Sequence, residues 1–233
     1  MNDLIAGIIQ AFELIITLNP EVLEITSLSI EVSVIATVIG VLIGVPIGNY
    51  IHFHDFKGKQ TAITIIQTFY SFPTVLVGLL VFMIISRSGP LGQFHLMFTP
   101  QAIIIGETTL SLPIIMGLTI SALNGVPKEV HDLVTSLGAT KRQINFKIMK
   151  EAKFAILSAI TLGFGRAISE VGAAMMLGGN IRGHTRVITT AMSLETQKGN
   201  SDFSIALGII LLSVALILNF ILYRFQVREW RWF

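Results

Sequence analysis

The sequence predicts an all-α protein that crosses a membrane about five times. Hydrophobic residues make up 52% of its 233 residues and charged residues only 13%, and the mean hydropathy is +0.75. A soluble domain carries about 25% charged residues, so this chain is too apolar for a cytosolic enzyme, and its composition also excludes a disordered protein. Apolar stretches of spanning length use most of the chain. This predicts one transmembrane domain over residues 1–233, without a separate soluble domain.

Each predicted span is an apolar run close to the roughly 20 residues that a helix needs to cross a bilayer. The five runs are 32–51, 60–86, 101–127, 154–177 and 203–223. The first run contains Gly40, Gly44 and Gly48, whose four-residue spacing predicts a smooth groove for a neighbouring helix. The fourth run differs from the others because it contains an arginine and a glutamate.

Residues 1–20 precede the first run and predict a helix that lies in the membrane interface. The apolar stretch 4–18 rises only about 22 Å as a helix, and Asn19-Pro20 is a stop signal after it. A sixth span is the alternative. Aromatic residues at the other end of the chain predict an anchor at the membrane interface; these are Trp230, Trp232 and Phe233.

Basic residues concentrate on one side of the predicted spans. Eleven of the 16 lysines and arginines fall there, namely Lys57, Lys59, Lys128, Lys141, Arg142, Lys147, Lys150, Lys153, Arg224, Arg228 and Arg231. The other side has Arg87, Arg182, Arg186 and Lys198, and Arg166 lies within the fourth run. Cytoplasmic loops of membrane proteins carry an excess of lysine and arginine. The pattern therefore predicts a multi-pass protein of the cell membrane, with an external N-terminus and a cytoplasmic C-terminus.

The segment 128–153, between the third and fourth runs, is basic and amphipathic. Its apolar residues recur at helical spacing, namely Leu133, Leu137, Ile144 and Ile148. Gly138 interrupts the pattern and predicts two short helices that meet at a glycine turn. Six basic residues with an ordered apolar stripe exceed what membrane orientation requires. We therefore interpret the segment as a docking surface for a partner, the alternative being a solvated loop.

The same segment resembles the EAA motif of ABC-transporter permeases, Glu-Ala-Ala-x3-Gly-x9-Ile-x-Leu-Pro. Residues 132–134 occupy its first positions as Asp-Leu-Val, and Gly138 and Ile148 follow at the motif's spacing. Residues 150–151 are Lys-Glu where Leu-Pro is usual, as in the tungstate branch of the family. The resemblance makes residues 128–153 a cytoplasmic coupling segment that binds an ATPase through Asp132, Leu133, Leu137, Gly138, Ala139, Thr140, Lys141, Arg142 and Ile148.

Three further stretches resemble the molybdate, sulfate and tungstate permeases of this family. They are FPTVLVGL at 72–79, SGPLG at 88–92 and residues 165–200, which are most similar to tungstate permeases. The resemblance implies the fold of type I ABC importer permeases. It also implies a homodimer that binds two ATPase subunits and an external oxyanion-binding protein. Tungstate is the expected substrate, and molybdate or sulfate is the alternative.

Charged and hydroxyl side chains within the runs are candidates for a translocation path or gate. Arg166 and Glu170 lie four residues apart, so a salt bridge on one helix face is expected. Ionised groups at this depth normally face the bundle interior, where Arg166 would attract a divalent oxyanion and Glu170 would limit its affinity. The alternative is a structural pair that neutralises itself. The other candidates, whose hydroxyl groups either line the path or bond to the backbone, are Ser169, Thr108 and Ser111.

No metal site or cofactor of its own is predicted for the chain. It has no cysteine, and a net charge of +2 does not indicate a nucleic-acid partner. Residues 57–59 lack the upstream glycine and the Ser or Thr of a nucleotide-binding loop, so a partner subunit would use the ATP.

An ion-coupled carrier is the alternative from another class, with Glu107, Arg166 and Glu170 as coupling sites. A membrane enzyme has little support because no nucleophile, base and orienting acid can be assembled.

Overall fold

A computed structural model describes residues 2–230, which form eleven α-helices and two short 3-10 helices without a β-strand. The all-α prediction is therefore confirmed for this part of the chain. The helices are α1 (Asn2–Ile16), α2 (Pro20–Phe53), α3 (Lys59–Thr68), α4 (Thr74–Ile85), α5 (Pro100–Asn124), α6 (Lys128–Ser136), α7 (Lys141–Glu151), α8 (Lys153–Ile168), α9 (Gly172–Gly178), α10 (Ile188–Gln197) and α11 (Ser201–Trp230). The predicted aromatic anchor of the C-terminus lies outside the described side chains.

Five spans are present if each of two bent helix pairs is counted as one span. Among the described residues, α2, α5 and α11 are long and apolar enough to cross a membrane as continuous helices. The second span is broken between α3 and α4, whose axes differ in direction by 103°. The fourth is broken between α8 and α9, with a bend of 56°. The sequence predicted the number of spans but treated the fourth span as one continuous helix.

The first span begins twelve residues earlier than the run 32–51 suggested, because α2 starts at Pro20. The Asn19 side chain caps this helix by accepting hydrogen bonds from the amides of Glu21 and Val22. The 34 residues of α2 rise about 51 Å, more than the roughly 30 Å of a hydrocarbon core. The first turns of α2, which carry glutamates, therefore extend beyond the hydrocarbon core. Glutamates are compatible with a helix in that position because their charges remain in water.

The second span breaks at Phe72-Pro73. Pro73 cannot donate a backbone hydrogen bond, and Phe72 before it is extended with ψ at 129°. Tyr70, just before the break, lies directly on Gly117 of α5, where a side chain on residue 117 would overlap the phenol ring. Proline therefore interrupts the helix, and the Tyr70 contact positions the interrupted end against α5.

The closest contact between spans joins α2 and α5. A Cβ atom on Gly48 would lie 2.8 Å from the backbone oxygen of Met116, and one on Gly40 would lie 3.0 Å from Cδ1 of Ile115. A Cβ atom on Gly44 would lie 3.3 Å from the Met116 amide nitrogen. The predicted glycine groove is thus confirmed. It lets the two backbones approach more closely than any side chain would allow.

The N-terminal helix α1 packs against α11. Gly7 and Ala11 are buried, and a Cβ atom on Gly7 would meet the side chain of Ile205. Leu14 packs onto an apolar cluster formed by α2, α10 and α11. The opposite face of α1 is exposed and apolar, with Ile9 and Phe12 each 61% exposed. A helix within residues 1–20 is therefore present, and its position in the membrane interface stays a prediction.

Substitution of Gly48 by alanine tests the α2–α5 contact. We expect Gly48→Ala to destabilise the chain by about 1–3 kcal/mol, the usual effect of overpacking, because the added methyl group would approach the backbone of Met116. The measurement is the melting temperature of the purified chain in detergent. Gly165→Ala is the matched control, since a Cβ atom at that helical position meets no atom within 4 Å. Equal melting temperatures of the two variants would show that the contact is not tight.

Candidate functional site

The coupling segment consists of two helices joined by a tight turn. Gly138 has φ at +78°, and no atom lies within 4 Å of the position its Cβ would take. Its amide donates to the Thr135 oxygen at 3.0 Å, and the Ala139 amide donates to Val134 at 3.3 Å. The two helices and glycine turn predicted for residues 128–153 are confirmed. Glycine is favoured here because the left-handed conformation strains other residues.

The second helix of the segment begins at a capping box. The Thr140 hydroxyl accepts from the Gln143 amide at 3.4 Å, and the Gln143 side chain accepts from the Thr140 amide at 2.8 Å. This reciprocal pair fixes the start of α7 immediately after the turn. The predicted partner contacts in this region are exposed, with the exception of the half-buried Ala139: they are Asp132, Leu133, Leu137, Gly138, Thr140, Lys141 and Arg142.

The apolar stripe of the segment divides into an anchoring half and an exposed half. Ile148 is buried in a cluster with Leu123 and Ile156, so it ties α7 to the spans α5 and α8. Leu133 is 61% exposed and Leu137 78% exposed. Ile148 therefore differs from the other predicted contacts, because it packs against the membrane-spanning helices and is not exposed on the surface of the segment.

A third exposed apolar residue was missed by the sequence reasoning. Phe146 is 71% exposed on α7, between the anchoring residues Ile144 and Ile148. The two isoleucines are four residues apart and therefore share one helix face, which the sequence pattern identified. Phe146 is two residues from each of them and lies on a different face, so the pattern did not include it. We define the coupling patch as Leu133, Leu137 and Phe146, all exposed large apolar residues on the coupling segment.

The break in the fourth span is organised by Glu170. Its Oε1 accepts from the Ala173 amide at 2.9 Å, and its Oε2 lies 3.4 Å from Nη1 of Arg166. Its backbone oxygen accepts from the Thr189 hydroxyl at 2.6 Å. The expected salt bridge is present, but the expectation of one continuous helix face was wrong. Helix α8 ends at Ile168, and the Glu170 carboxylate replaces backbone hydrogen bonds that the bend interrupts.

Burial differs sharply between the two partners of this ion pair. Glu170 is only 2% exposed, whereas the Arg166 side chain is 28% exposed. Ser169 is exposed beside it, and its hydroxyl donates to the Gly165 oxygen at 2.7 Å. The break thus presents a guanidinium and a hydroxyl group at the surface of the chain and keeps the carboxylate inside. An anion that reaches this surface meets the positive partner first.

The candidates on α5 face inward toward α2. Ser111 is fully buried, and its hydroxyl donates to the Thr108 oxygen at 3.4 Å. The Thr108 hydroxyl donates to the Ala36 oxygen on α2, also at 3.4 Å. Both hydroxyl groups therefore bond to backbone oxygens at the α2–α5 contact. In this conformation neither forms an open surface, while the neighbouring Thr109 is exposed.

Glu107 is a second buried acid, 2% exposed within α5. It interacts with the side chain of Ser33 and with the charge of Glu170, and its Oε2 has no hydrogen-bond partner among the described residues. It therefore lies inside the bundle, near the break. Within the described part of the chain, no three His, Asp or Glu side chains form a group that could hold a metal ion.

The loop between α9 and α10 is held against the first turn of α2. Arg182 contacts Glu21 at 2.6 Å, and Arg186 contacts the other oxygen of the same carboxylate at 3.3 Å. The sequence analysis did not identify Glu21 as a partner because 161 residues separate it from Arg182. On α10, a hydrogen bond from Lys198 at 2.8 Å lowers the pKa of Glu195. Charge pairing thus fixes this whole polar surface.

Comparisons with known proteins give a consistent assignment. The family model described as "Binding-protein-dependent transport system inner membrane component" matches residues 36–232. A "Probable anion ABC transporter permease protein" of Haloferax volcanii is 41% identical over 209 residues, covering 88% of this chain and 90% of that protein. The "Tungstate uptake system permease protein TupB" of Peptoclostridium acidaminophilum is 38% identical over 226 residues, covering 97% and 99%.

Among solved structures, inward-facing forms of the MetNI methionine ABC transporter include a chain with the same fold. The TM-score is 0.70 with 20% identity, over 91% of this chain and 96% of that chain. This likeness confirms the predicted type I importer permease fold. The family match includes the last four spans, the coupling segment and most of α2. The chain therefore belongs to the family of inner-membrane permease components of binding-protein-dependent ABC transport systems.

Proposed function

We propose that the chain is the permease subunit of an ATP-driven importer for tungstate. The observation that carries this proposal is the 38% identity to a tungstate uptake permease over 97% of the chain and 99% of that relative. Identity of this extent includes both the coupling segment and the break of the fourth span. Molybdate and sulfate are the alternative substrates, since substrate choice in such systems rests largely on the external binding protein.

The coupling patch is the proposed contact with the ATPase subunit. An apolar surface on a polar, basic segment is typical of a helix that inserts into a groove of another protein. The segment is anchored through Ile148 to α5 and α8, so a displacement of the ATPase would be passed to the third and fourth spans. Two copies of the chain would bind two ATPase subunits. The chain itself would hydrolyse no ATP and would hold no cofactor.

The break of the fourth span is the proposed wall of the translocation path. Arg166 offers a positive charge at a partly exposed surface within the membrane layer, and the neighbouring Ser169 hydroxyl would have to turn away from the Gly165 oxygen to donate to an anion. A bare guanidinium would hold a divalent oxyanion too firmly for release, and the ion pair with Glu170 weakens that attraction. In a homodimer with the path between its subunits, two such surfaces would face each other.

The proposed orientation places the coupling segment and the end of α11 in the cytoplasm. The α9–α10 loop and the first turn of α2 would then be external, where an oxyanion-binding protein docks. The distribution of basic residues supports this orientation. So does the ATP requirement, because nucleotide is available only on the cytoplasmic side.

Substitution in the coupling patch tests the ATPase contact. We expect Leu137→Ser to weaken binding of the ATPase subunit by roughly 10- to 100-fold in co-purification, because an exposed leucine that becomes buried on binding contributes about 1.5–3 kcal/mol. Ser136→Ala is the control, since that exposed neighbour bonds only to the Leu133 oxygen within its own helix. Undiminished co-purification of Leu137→Ser would remove the patch from the interface.

Single and double substitutions separate the two roles of the ion pair in the fourth span. We expect Arg166→Gln to reduce uptake by roughly 10- to 100-fold, the effect of one lost charge-assisted hydrogen bond. Uptake is measured in proteoliposomes, and the yield of the assembled complex is the control for folding. Because Arg166→Gln leaves Glu170 buried without its cation, the double variant Arg166→Gln/Glu170→Gln is needed as well. Restored uptake in the double variant would mean that the pair is structural and does not contact the anion.

Substrate and energy source are tested together in right-side-out proteoliposomes. The vesicles contain the permease, the ATPase and internal ATP, with the binding protein outside. We expect tungstate uptake that requires both ATP and binding protein. Stronger uptake of molybdate or sulfate would change the substrate and leave the importer assignment intact. Uptake driven by an ion gradient without the ATPase would instead favour a carrier and contradict the proposed function.

A further inference from the structure

A groove lies between α2, α8 and α11. At one end α2 and α11 are joined through an apolar cluster that includes Ile25 of α2, Ile188 of α10 and Leu207 of α11. Farther along the two helices, Ile160 and Phe164 of α8 line the space between them. The resulting groove has a volume of about 340 Å³ and opens to the surface of the spans.

The groove is apolar throughout. Its walls include Val38 and Leu42 of α2 and Leu218 and Ile221 of α11, and its floor includes Phe164 of α8. Thr37 also lines it, but its hydroxyl donates to the Ser33 oxygen at 2.7 Å and therefore needs no other partner. A ligand of the groove would have to be hydrocarbon, since no polar group is available to bind anything else.

A cation lies about one helical turn beyond the groove-lining residue Ile221. Arg224 follows Ile221 by three residues on α11, so the two occupy neighbouring positions on the helix surface. Arg224 is exposed, and its guanidinium carbon lies 5.3 Å from the centre of the Phe220 ring. It forms no ion pair with any side chain that the structure describes. The cation is therefore available to an anion at the membrane surface.

We propose that this groove binds one acyl chain of an anionic phospholipid whose phosphate contacts Arg224. The combination of a hydrocarbon slot with a cation nearby matches the two parts of such a lipid. The slot lies between membrane-spanning helices, so its occupant comes from the bilayer and needs no entry from water. This inference goes beyond the transport function and does not depend on which anion is carried.

A second copy of the chain fits the groove less well. The apolar lining by itself accepts either the side chains of a partner helix or a hydrocarbon chain, so the charge near the groove decides between them. A partner helix would also leave Arg224 facing apolar side chains without an anion. Charge complementarity with a phosphate therefore favours lipid over a protein contact.

Lipid binding to the purified chain tests this proposal directly. Native mass spectrometry would measure retention of phosphatidylglycerol and of phosphatidylcholine by the wild-type chain. We expect Val38→Trp, which fills the groove, to weaken phosphatidylglycerol binding by about tenfold. Ile43→Trp is the matched control, since Ile43 is 41% exposed on the same helix and lies outside the groove. Arg224→Gln should bind the anionic lipid as weakly as the zwitterionic one.

Equal phosphatidylglycerol retention by the wild type, Val38→Trp and Ile43→Trp would overturn the proposal. So would a change from dimer to monomer in Val38→Trp with unchanged lipid binding, because a second copy would then cover the groove. Leu218→Trp fills the groove from the opposite wall. It gives the same test if Val38→Trp fails to fold. None of these variants alters the coupling patch or Arg166, so failure of the lipid proposal is distinguishable from failure of the proposed transport function.

Discussion

The close contact between α2 and α5 determines where the other spans lie. Helix α5 packs against both halves of the second span and both halves of the fourth, while α2 packs against α8 and α10. Glycine at residues 40, 44 and 48 permits this close approach. Inside a bilayer the hydrophobic effect does not drive helices together, so their association depends on such close packing. The Thr108 hydroxyl adds a hydrogen bond from α5 to the Ala36 oxygen of α2, while the buried Ser111 hydroxyl bonds within α5. Two broken spans can therefore be held around one rigid pair of helices.

Broken helices in a membrane need replacements for the backbone hydrogen bonds that they lose. In the second span proline removes one donor outright. In the fourth span no proline is present, and the Glu170 carboxylate bonds to the Ala173 amide across the bend. The same carboxylate binds Arg166. The break and the partly exposed cation are thus parts of one arrangement, and this links the local geometry of the span to the proposed passage of an anion.

Much of the architecture was predictable because apolar run length and helical spacing are local signals. They gave the number of spans, the two helices of the coupling segment and the glycine turn between them. The start of α2 was not predictable in this way, since glutamates at 21, 24 and 31 look like a boundary until the helix is known to extend beyond the apolar layer. The bend at residues 169–171 depends on two contacts of Glu170 that spacing does not reveal: its carboxylate accepts from the Ala173 amide, and its backbone oxygen accepts from the Thr189 hydroxyl of another segment. Likewise, the spacing of residues could not show that Ser111 faces α2. Apolar residues occur all around α5, so the sequence does not distinguish the face that packs against α2 from the others.

The two halves of the fourth span are attached to different parts of the molecule. Helix α8 is tied to the coupling segment through Ile148 and Ile156. Helix α9 is tied instead to the opposite end, where the Leu177 oxygen accepts from the Phe98 amide and the Gly178 oxygen accepts from Thr185. In the proposed assembly, a force applied at the coupling segment would reach α8 directly and α9 only through the bend. The bend would then act as a joint between the half of the span that is tied to the coupling segment and the half that is tied to the opposite end.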